Sequence, residues 1–190
     1  MNLGQHADSS KSGFFRTFIS FIIMVAIVLV CAWLLRTYVI SPYEIPSGSM
    51  ETTIMTSDKV FSEKVSYYTR SVRPGDIVTF GDPEVIGRTL IKRCIATGGQ
   101  TVDLVNGTVY VDGVAKTEPY TNGQPSYPLT TAAGVSISYP YTVPDGYLWV
   151  MGDNRTDSAD SRYFGAIPAS SVTGRACFVY WPLNRMQVLE

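Results

Sequence analysis

The chain has 190 residues, enough for one membrane anchor and one domain of ordinary size. Its formal net charge is −1, from 15 basic and 16 acidic residues, so we expect no nucleic-acid partner. Charged residues make up only 16% of the chain and apolar residues 45%, a balance that fits a protein at a membrane.

The N-terminal segment predicts a membrane anchor. Residues 1–13 are small and polar without periodicity, which indicates a disordered cytoplasmic tail. Within the predicted anchor, residues 14–36, the run from Thr17 to Leu35 contains no charged residue. As a helix with a rise of about 1.5 Å per residue, this run spans about 28 Å, close to the thickness of a bilayer's hydrocarbon core.

The charges beside this run predict its orientation. Lys11 and Arg16 precede it and Arg36 follows it, a modest bias that places the N-terminus in the cytoplasm. A cleavable signal peptide is the alternative, but no small-x-small cleavage site follows Leu35. The sequence therefore predicts a single-pass protein of the cell membrane whose residues 37–190 form an extracytoplasmic domain. Membrane lipid is then an expected partner.

Beyond the anchor the pattern changes to short strands, which predicts an all-β ectodomain. Asn106-Gly107 between two such runs is typical of a tight hairpin turn. The segment of about 102–142 is richer in Gly, Pro, Thr and Tyr and predicts a looser β lobe. The predicted strands are Lys59–Val65, Asp76–Phe80, Thr89–Ile95, Thr101–Val105, Thr108–Val111, Val135–Ser138, Tyr147–Met151 and Arg175–Trp181.

The three cysteines carry little information. Cys31 lies inside the apolar run, and Cys94 and Cys177 form no Cys-x-x-Cys pair, so neither a disulfide framework nor a zinc site is predicted. The sequence leaves a bond between Cys94 and Cys177 open.

A candidate nucleophile, Ser49, lies in the stretch YEIPSGSMETTI that follows the anchor. Pro46 fixes its own φ angle and Gly48 adopts backbone angles that other residues avoid, so the chain can bend sharply around Ser49. A serine exposed on a strained turn suits nucleophilic catalysis. A lone Ser-Gly-Ser is far more often an ordinary polar turn, so the assignment of Ser49 as a nucleophile depends on other residues.

Lys92 is the candidate base. In the predicted strand Thr89–Ile95 it shares a face with Leu90 and Cys94, and Arg93 points the other way. Burial between apolar neighbours would lower the pKa of its amine, whereas a lysine on an edge strand would extend its amine into solvent.

A third polar stretch, MGDNRTDSADSRYFG from Met151 to Gly165, contains several acidic and basic residues among glycines and serines. As a surface turn it would contribute little to stability. As a hydrogen-bonded loop it would fix a catalytic lysine and the nucleophile turn.

The position of the only histidine excludes several mechanisms. His6 precedes the anchor, on the predicted cytoplasmic side, so no histidine reaches Ser49. A Ser-His-Asp triad, a Cys-His transpeptidase and a histidine-ligated metalloprotease are excluded. The base must be a lysine or a carboxylate, and no cofactor or metal is expected.

Together these stretches resemble bacterial type I signal peptidases of the compact, single-anchor type. The family's motifs are matched in order by PSGSM at Pro46–Met50, by Gly75–Phe80, by Lys92-Arg93 and by the loop Gly152–Gly165. The resemblance covers Tyr43 to about Tyr180. It implies antiparallel sheets and a membrane-anchored serine endopeptidase that removes signal peptides from exported preproteins.

The resemblance also implies individual roles. Ser49 would attack, Lys92 would be the general base, and Ser47 with the Ser49 N–H would form the oxyanion hole. Ser158 would hydrogen-bond the lysine, and Asp160 and Arg162 would brace the loop.

A few residues are candidates for contact with the substrate, and a few others differ from the family pattern. Tyr43, Ile45 and Ile91 are candidate walls of the substrate pocket. Thr52 and Ala96 depart from the family's usual Pro and Gly, and Thr97–Gln100 from its x-Pro-Gly-Asp, which affects local loop rigidity.

Two alternatives remain at this stage. A related Ser/Lys peptidase could mature a dedicated substrate such as a pilin. The soluble repressor-type proteases with the same dyad are disfavoured by the anchor. An anchored β module that binds a partner without catalysis is the non-enzymatic alternative.

Overall fold

The computed structural model describes residues 8–189, with side chains from Phe15 onward. Helix α1 (Asp8–Leu34) continues into a π-helical segment, Leu35–Val39. The span Phe15–Val39 is long and apolar enough to cross a membrane, with a mean hydropathy of 3.0 over its most apolar window. Of the predicted disordered tail, residues 1–7 lie outside the described part. Residues 8–13 are helical, against the prediction, because extending an existing helix needs no new nucleation.

A second compact unit begins at Ile40 and confirms the predicted all-β class. Two short helices, α2 (Ser66–Thr69) and α3 (Ser161–Phe164), interrupt the strands. The strands described in this unit are β1 (Ile40–Glu44), β2 (Lys59–Glu63), β3 (Ile77–Gly81), β4 (Thr89–Thr97), β5 (Thr101–Val105), β6 (Thr108–Val111), β7 (Val114–Ala115), β8 (Tyr141–Thr142), β9 (Tyr147–Met151), β10 (Ile167–Pro168), β11 (Val172–Trp181) and β12 (Gln187–Val188).

The strands form two antiparallel sheets. The larger follows the order β1-β2-β11-β3-β4-β9-β10, with β12 beside β11. The smaller follows the order β7-β6-β5-β8 and takes its strands from the range for which a separate lobe is predicted. Its β5–β6 hairpin turns at Asn106-Gly107, where φ angles of 49° and 81° require residues that tolerate a left-handed backbone.

Strand β4 lies between apolar clusters on both of its faces. Cys94 packs in a cluster of β3 and β9 residues, whereas Ile95 packs against the smaller sheet. Ile91 belongs to a third cluster, under the Ser49 turn. This two-sided burial explains why β4 reads as a nearly continuous apolar run that two charged residues interrupt.

One predicted strand is wrong and several real ones escaped prediction. Val135–Ser138 forms no strand, because alternation shows which side chains face a core but not whether a strand edge is available for pairing. β1 went unpredicted because it contains Pro42, which is tolerated here since β1 is the edge strand of its sheet. The two-residue strands β7, β8, β10 and β12 are too short to give a pattern.

Candidate active site

The Ser49 turn is fixed from below by the core. Ile45, Met50 and Ile54 are each at most 3% exposed and pack in one cluster, so apolar side chains hold the turn on both sides. Backbone bonds close it, from Glu51 N to Gly48 O at 3.0 Å and from Ile54 N to Met50 O at 2.9 Å.

The loop that follows β9 packs directly on this turn. Asn154 donates from its side chain to Gly48 O at 3.0 Å and from its backbone N to Ser49 O at 3.1 Å. Gly152 allows this approach, since a Cβ there would lie 2.4 Å from Ser49 O and 2.3 Å from Ser158 Oγ. The third polar stretch therefore fixes the position of the candidate nucleophile.

The structure brings Lys92 to Ser49. Lys92 is 3% exposed on β4, and its Nζ lies 2.5 Å from Ser49 Oγ, at hydrogen-bond distance. Of the two possibilities that the sequence left for this lysine, the structure shows the buried one. The two side chains form a buried pair in which one can exchange a proton with the other.

Burial lowers the pKa of the Lys92 amine to about 8, because the charged form loses its hydration. The negative charge of Asp160 acts in the opposite direction but is the smaller effect. The amine is therefore neutral in a substantial fraction of molecules at mildly alkaline pH, as a general base requires.

Asp160 and Arg162 brace the loop from within and are both at most 1% exposed. The Asp160 carboxylate accepts from Gly152 N at 3.0 Å and from Arg162 Nε and Nη2, each at 2.9 Å. Arg162 Nη2 also donates to Arg155 O at 2.8 Å. The interpretation of this loop as a solvated surface turn is wrong, because all but one of its five charged residues are buried and paired.

Ser158 lies in the loop as expected but does not make the expected contact. It is 8% exposed, and its Oγ has no hydrogen-bond partner among the described residues. The Nζ atom of Lys92 bonds to Ser49 Oγ, whereas Ser158 Oγ lies next to Gly152.

A second set of charged contacts, which the sequence did not predict, lies on the opposite face of β4. Arg93 donates to Asp153 from Nε at 2.9 Å and from Nη2 at 2.8 Å, and its guanidinium lies 4.0 Å from the centre of the Tyr120 ring. Asp153 also accepts from Thr53 Oγ1 at 2.5 Å, which connects the cluster to the segment after the nucleophile. Arg155 pairs with Glu118 in the same region.

A cavity of about 330 Å³ opens at the Ser49–Lys92 pair. Ser47, which is exposed, and Ile91 are part of its lining. Tyr43 and Ile45 pack in the core cluster under the turn and do not line this cavity. The lining comprises Pro46, Ser47, Gly48, Ser49, Asp82, Glu84, Arg88, Thr89, Leu90, Ile91, Lys92, Asp157, Ala159 and Phe164.

Other chemistry is not assembled in the described part of the chain. No group of three His, Cys, Asp or Glu side chains there could hold a metal ion. Cys94 and Cys177 are free thiols, so the disulfide left open by the sequence is not formed. His6 lies outside the described residues.

Comparison with known proteins gives consistent matches. The family model "Signal peptidase, peptidase S26" matches residues 17–181. A probable signal peptidase I-1 of Synechocystis is 41% identical over 171 residues, covering 86% of this chain and 82% of the relative. The signal peptidase I of Leptolyngbya laminosa is 33% identical over 169 residues, covering 85% and 79%. A solved signal peptidase I of Enterococcus faecalis is 32% identical with a TM-score of 0.43, covering 56% of this chain and 97% of that one.

Proposed function

Because this chain belongs to the signal peptidase family, peptidase S26, we propose that it cleaves signal peptides with Ser49 as nucleophile and Lys92 as general base. Membership makes it a serine peptidase that removes signal peptides from preproteins. The observation that carries the assignment is the buried contact of 2.5 Å between Lys92 Nζ and Ser49 Oγ. The alternatives of a dedicated pilin-type substrate and of a non-enzymatic module find no support in these relatives.

The first half of the reaction forms an acyl-enzyme. Neutral Lys92 takes the proton of Ser49 Oγ as this oxygen attacks the carbonyl carbon of the scissile bond. The Ser49 N–H donates no hydrogen bond within the described residues, so it is available to the developing oxyanion. The exposed Ser47 hydroxyl lines the same cavity and is the second donor.

The second half returns the enzyme to its starting state. The protonated Lys92 donates its proton to the leaving amine, and the C–N bond breaks. Neutral again, Lys92 takes a proton from a water molecule, which attacks the ester carbonyl. The signal peptide leaves with a free carboxylate, and Ser49 recovers its proton.

The pairing of β4 supports an extended binding mode for the substrate. β4 pairs with β3 from Thr89 to Arg93, but with β9 only from Arg93 onward. The other edge of Thr89–Lys92 therefore has open backbone groups beside the catalytic pair. We expect the substrate to add there as a strand, with Ile91 and Leu90 admitting only small side chains.

The family's substrates are exported, so the membrane topology is part of the proposal. The apolar span Phe15–Val39 suits a single anchor, with the N-terminus cytoplasmic and the catalytic domain outside. Membrane lipid is then the second partner of the protein.

The test is cleavage of a signal-peptide analogue with alanines at the first and third positions before the scissile bond. Wild type in detergent should cleave it, and Ser49→Ala and Lys92→Ala should each lose roughly 10⁴-fold or more in kcat. The exposed residues Ser170 and Lys116 provide matched controls, and their alanine variants should retain activity. Activity in Ser49→Ala within tenfold of wild type would refute the assignment.

A further inference from the structure

The turn between β3 and β4, residues Asp82–Arg88, is tightly built. The Asp82 carboxylate accepts from Glu84 N at 2.8 Å and from Val85 N at 3.2 Å, and Arg88 Nε donates to its second oxygen. Backbone bonds run from Asp82 N to Arg88 O at 2.9 Å and from Arg88 N to Val85 O at 3.1 Å. The backbone of this turn is therefore held in one conformation.

The tip of this turn presents two adjacent apolar side chains to solvent. Ile86 is 103% exposed and Val85 is 45% exposed. Scattered apolar residues on a surface need no explanation, but these two are consecutive and stand on a hydrogen-bonded support. Ile86 contributes no burial to the fold and Val85 is only partly covered, so a contact outside the fold accounts for their exposed surfaces better.

The turn is continuous with the catalytic cavity. Asp82, Glu84 and Arg88 line that cavity together with Ser49 and Lys92. A peptide seated at the catalytic pair and leaving the cavity along this wall therefore passes the tip.

The length of this wall matches the arrangement of a signal peptide. Such a peptide has small residues at its cleavage site and an apolar stretch of about 7 to 15 residues before it. Ile86 precedes Lys92 by six positions, which is at most about 20 Å of extended chain. A substrate strand parallel to Thr89–Ile91 would bring to the tip the end of the apolar stretch that lies nearest the scissile bond.

We propose that Val85 and Ile86 form a docking contact for the apolar stretch of the signal peptide and so help to select substrates. This inference rests on the proposed catalytic site, since that site fixes where the scissile bond lies. The exposed Glu84 carboxylate beside the tip argues for a peptide occupant, because an anionic lipid surface would repel it.

The experiment compares two synthetic substrates on the full chain in detergent micelles. The short peptide has four residues on each side of the scissile bond, and the long peptide adds ten leucine and alanine residues before them. The variant is Val85→Ser with Ile86→Ser. Its matched control is Val114→Ser with Val188→Ser, since these valines are 64% and 70% exposed and lie outside the cavity wall.

For wild type and control, we expect the long peptide to have a KM about tenfold below that of the short one, equivalent to about 1.4 kcal/mol. In the tip variant, the KM values of the two peptides should differ by no more than about twofold. Its kcat and its KM for the short peptide should be unchanged. Micelle binding of the long peptide is common to all three proteins and cancels in the comparison.

Three results would overturn the inference. The tip variant could retain the tenfold preference, or lose activity equally on both peptides, which indicates a distorted cavity. Its defect could also appear only in anionic lipid vesicles and on both peptides, which would assign the tip to lipid. Failure of the catalytic assignment is a separate result, because it shows as short-peptide cleavage by Ser49→Ala.

Discussion

Replacing Lys92 by methionine should abolish activity and stabilise the fold, because the site holds an amine where the fold favours an apolar group. Methionine has a similar length and needs no hydration. The pKa of Lys92 falls from 10.5 to about 8 on burial. At 1.36 kcal/mol per pKa unit, this difference corresponds to about 3 kcal/mol of unfolding free energy.

The pH dependence of this effect has a definite sign. Between about pH 8 and 10.5 the unfolded lysine binds a proton that the folded one has lost, so the wild type gains stability as pH rises. The penalty of the buried amine is fully present below about pH 8. The advantage of Lys92→Met should therefore be largest below pH 8 and should shrink by about 2 kcal/mol between pH 8 and 9.5.

Urea unfolding in detergent from pH 6 to 9.5 measures this advantage, with tryptophan fluorescence as the probe, since the fully buried Trp149 becomes exposed on unfolding. The exposed Lys116→Met variant is the control for replacing a lysine by methionine where the side chain is not buried. Other titrating groups are common to the proteins and cancel in the difference. A Lys92→Met advantage that stays constant from pH 6 to 9.5 would refute the argument that burial perturbs this amine.

Three further predictions concern activity. The value of kcat/KM should rise with pH and level off above about pH 8, and Lys92→Arg should be inactive throughout, since a guanidinium keeps its proton; an active Lys92→Arg would eliminate the lysine as base. Ser47→Ala should lower kcat by about 10²-fold to 10³-fold with little change in KM or melting temperature. Ser47→Thr keeps the hydroxyl and should recover much of the lost kcat. An unchanged kcat in Ser47→Ala would remove Ser47 from the oxyanion hole. Gly152→Ala should lower kcat at least tenfold, because its Cβ would displace Ser49 O. Gly81→Ala is the control and should keep its kcat, since no atom lies near its Cβ. Equal activities of the two variants would contradict the packing argument.

The sequence predicted the strands and the proposed catalytic pair for different reasons. Strands such as Tyr147–Met151 follow from a short local apolar run, and the larger sheet contains this strand with the predicted bounds. Ser49 and Lys92 are far apart in the chain, so only the order of several motifs indicated that they would meet. Because no histidine follows the anchor in the sequence, the base could only be a lysine or a carboxylate.

What the sequence did not predict depends on contacts between distant segments. Nothing local to Tyr120 or Glu118 indicates that this loop would cover Arg93 and pair with Arg155. Whether the Ser158 hydroxyl bonds to Lys92 likewise depends on the direction of its side chain, which its position in a motif does not show. The unpaired edge of Thr89–Lys92 follows from where β4 stops pairing with β9, which no pattern in either strand shows.

The buried charges around the site explain how one lysine keeps a low pKa among several carboxylates. The buried cations that the structure describes are Lys92 and three arginines, which form the pairs Arg93–Asp153, Arg155–Glu118 and Arg162–Asp160. The buried carboxylates of Asp153 and Asp160 are thus each paired with a guanidinium, which keeps its charge at any working pH. An unpaired Asp160 would stabilise the protonated amine, whereas the positive charge of Arg162 helps to lower the pKa of Lys92. The arginines therefore have an electrostatic role besides bracing the loop: they leave the buried lysine as the group that can give up its proton.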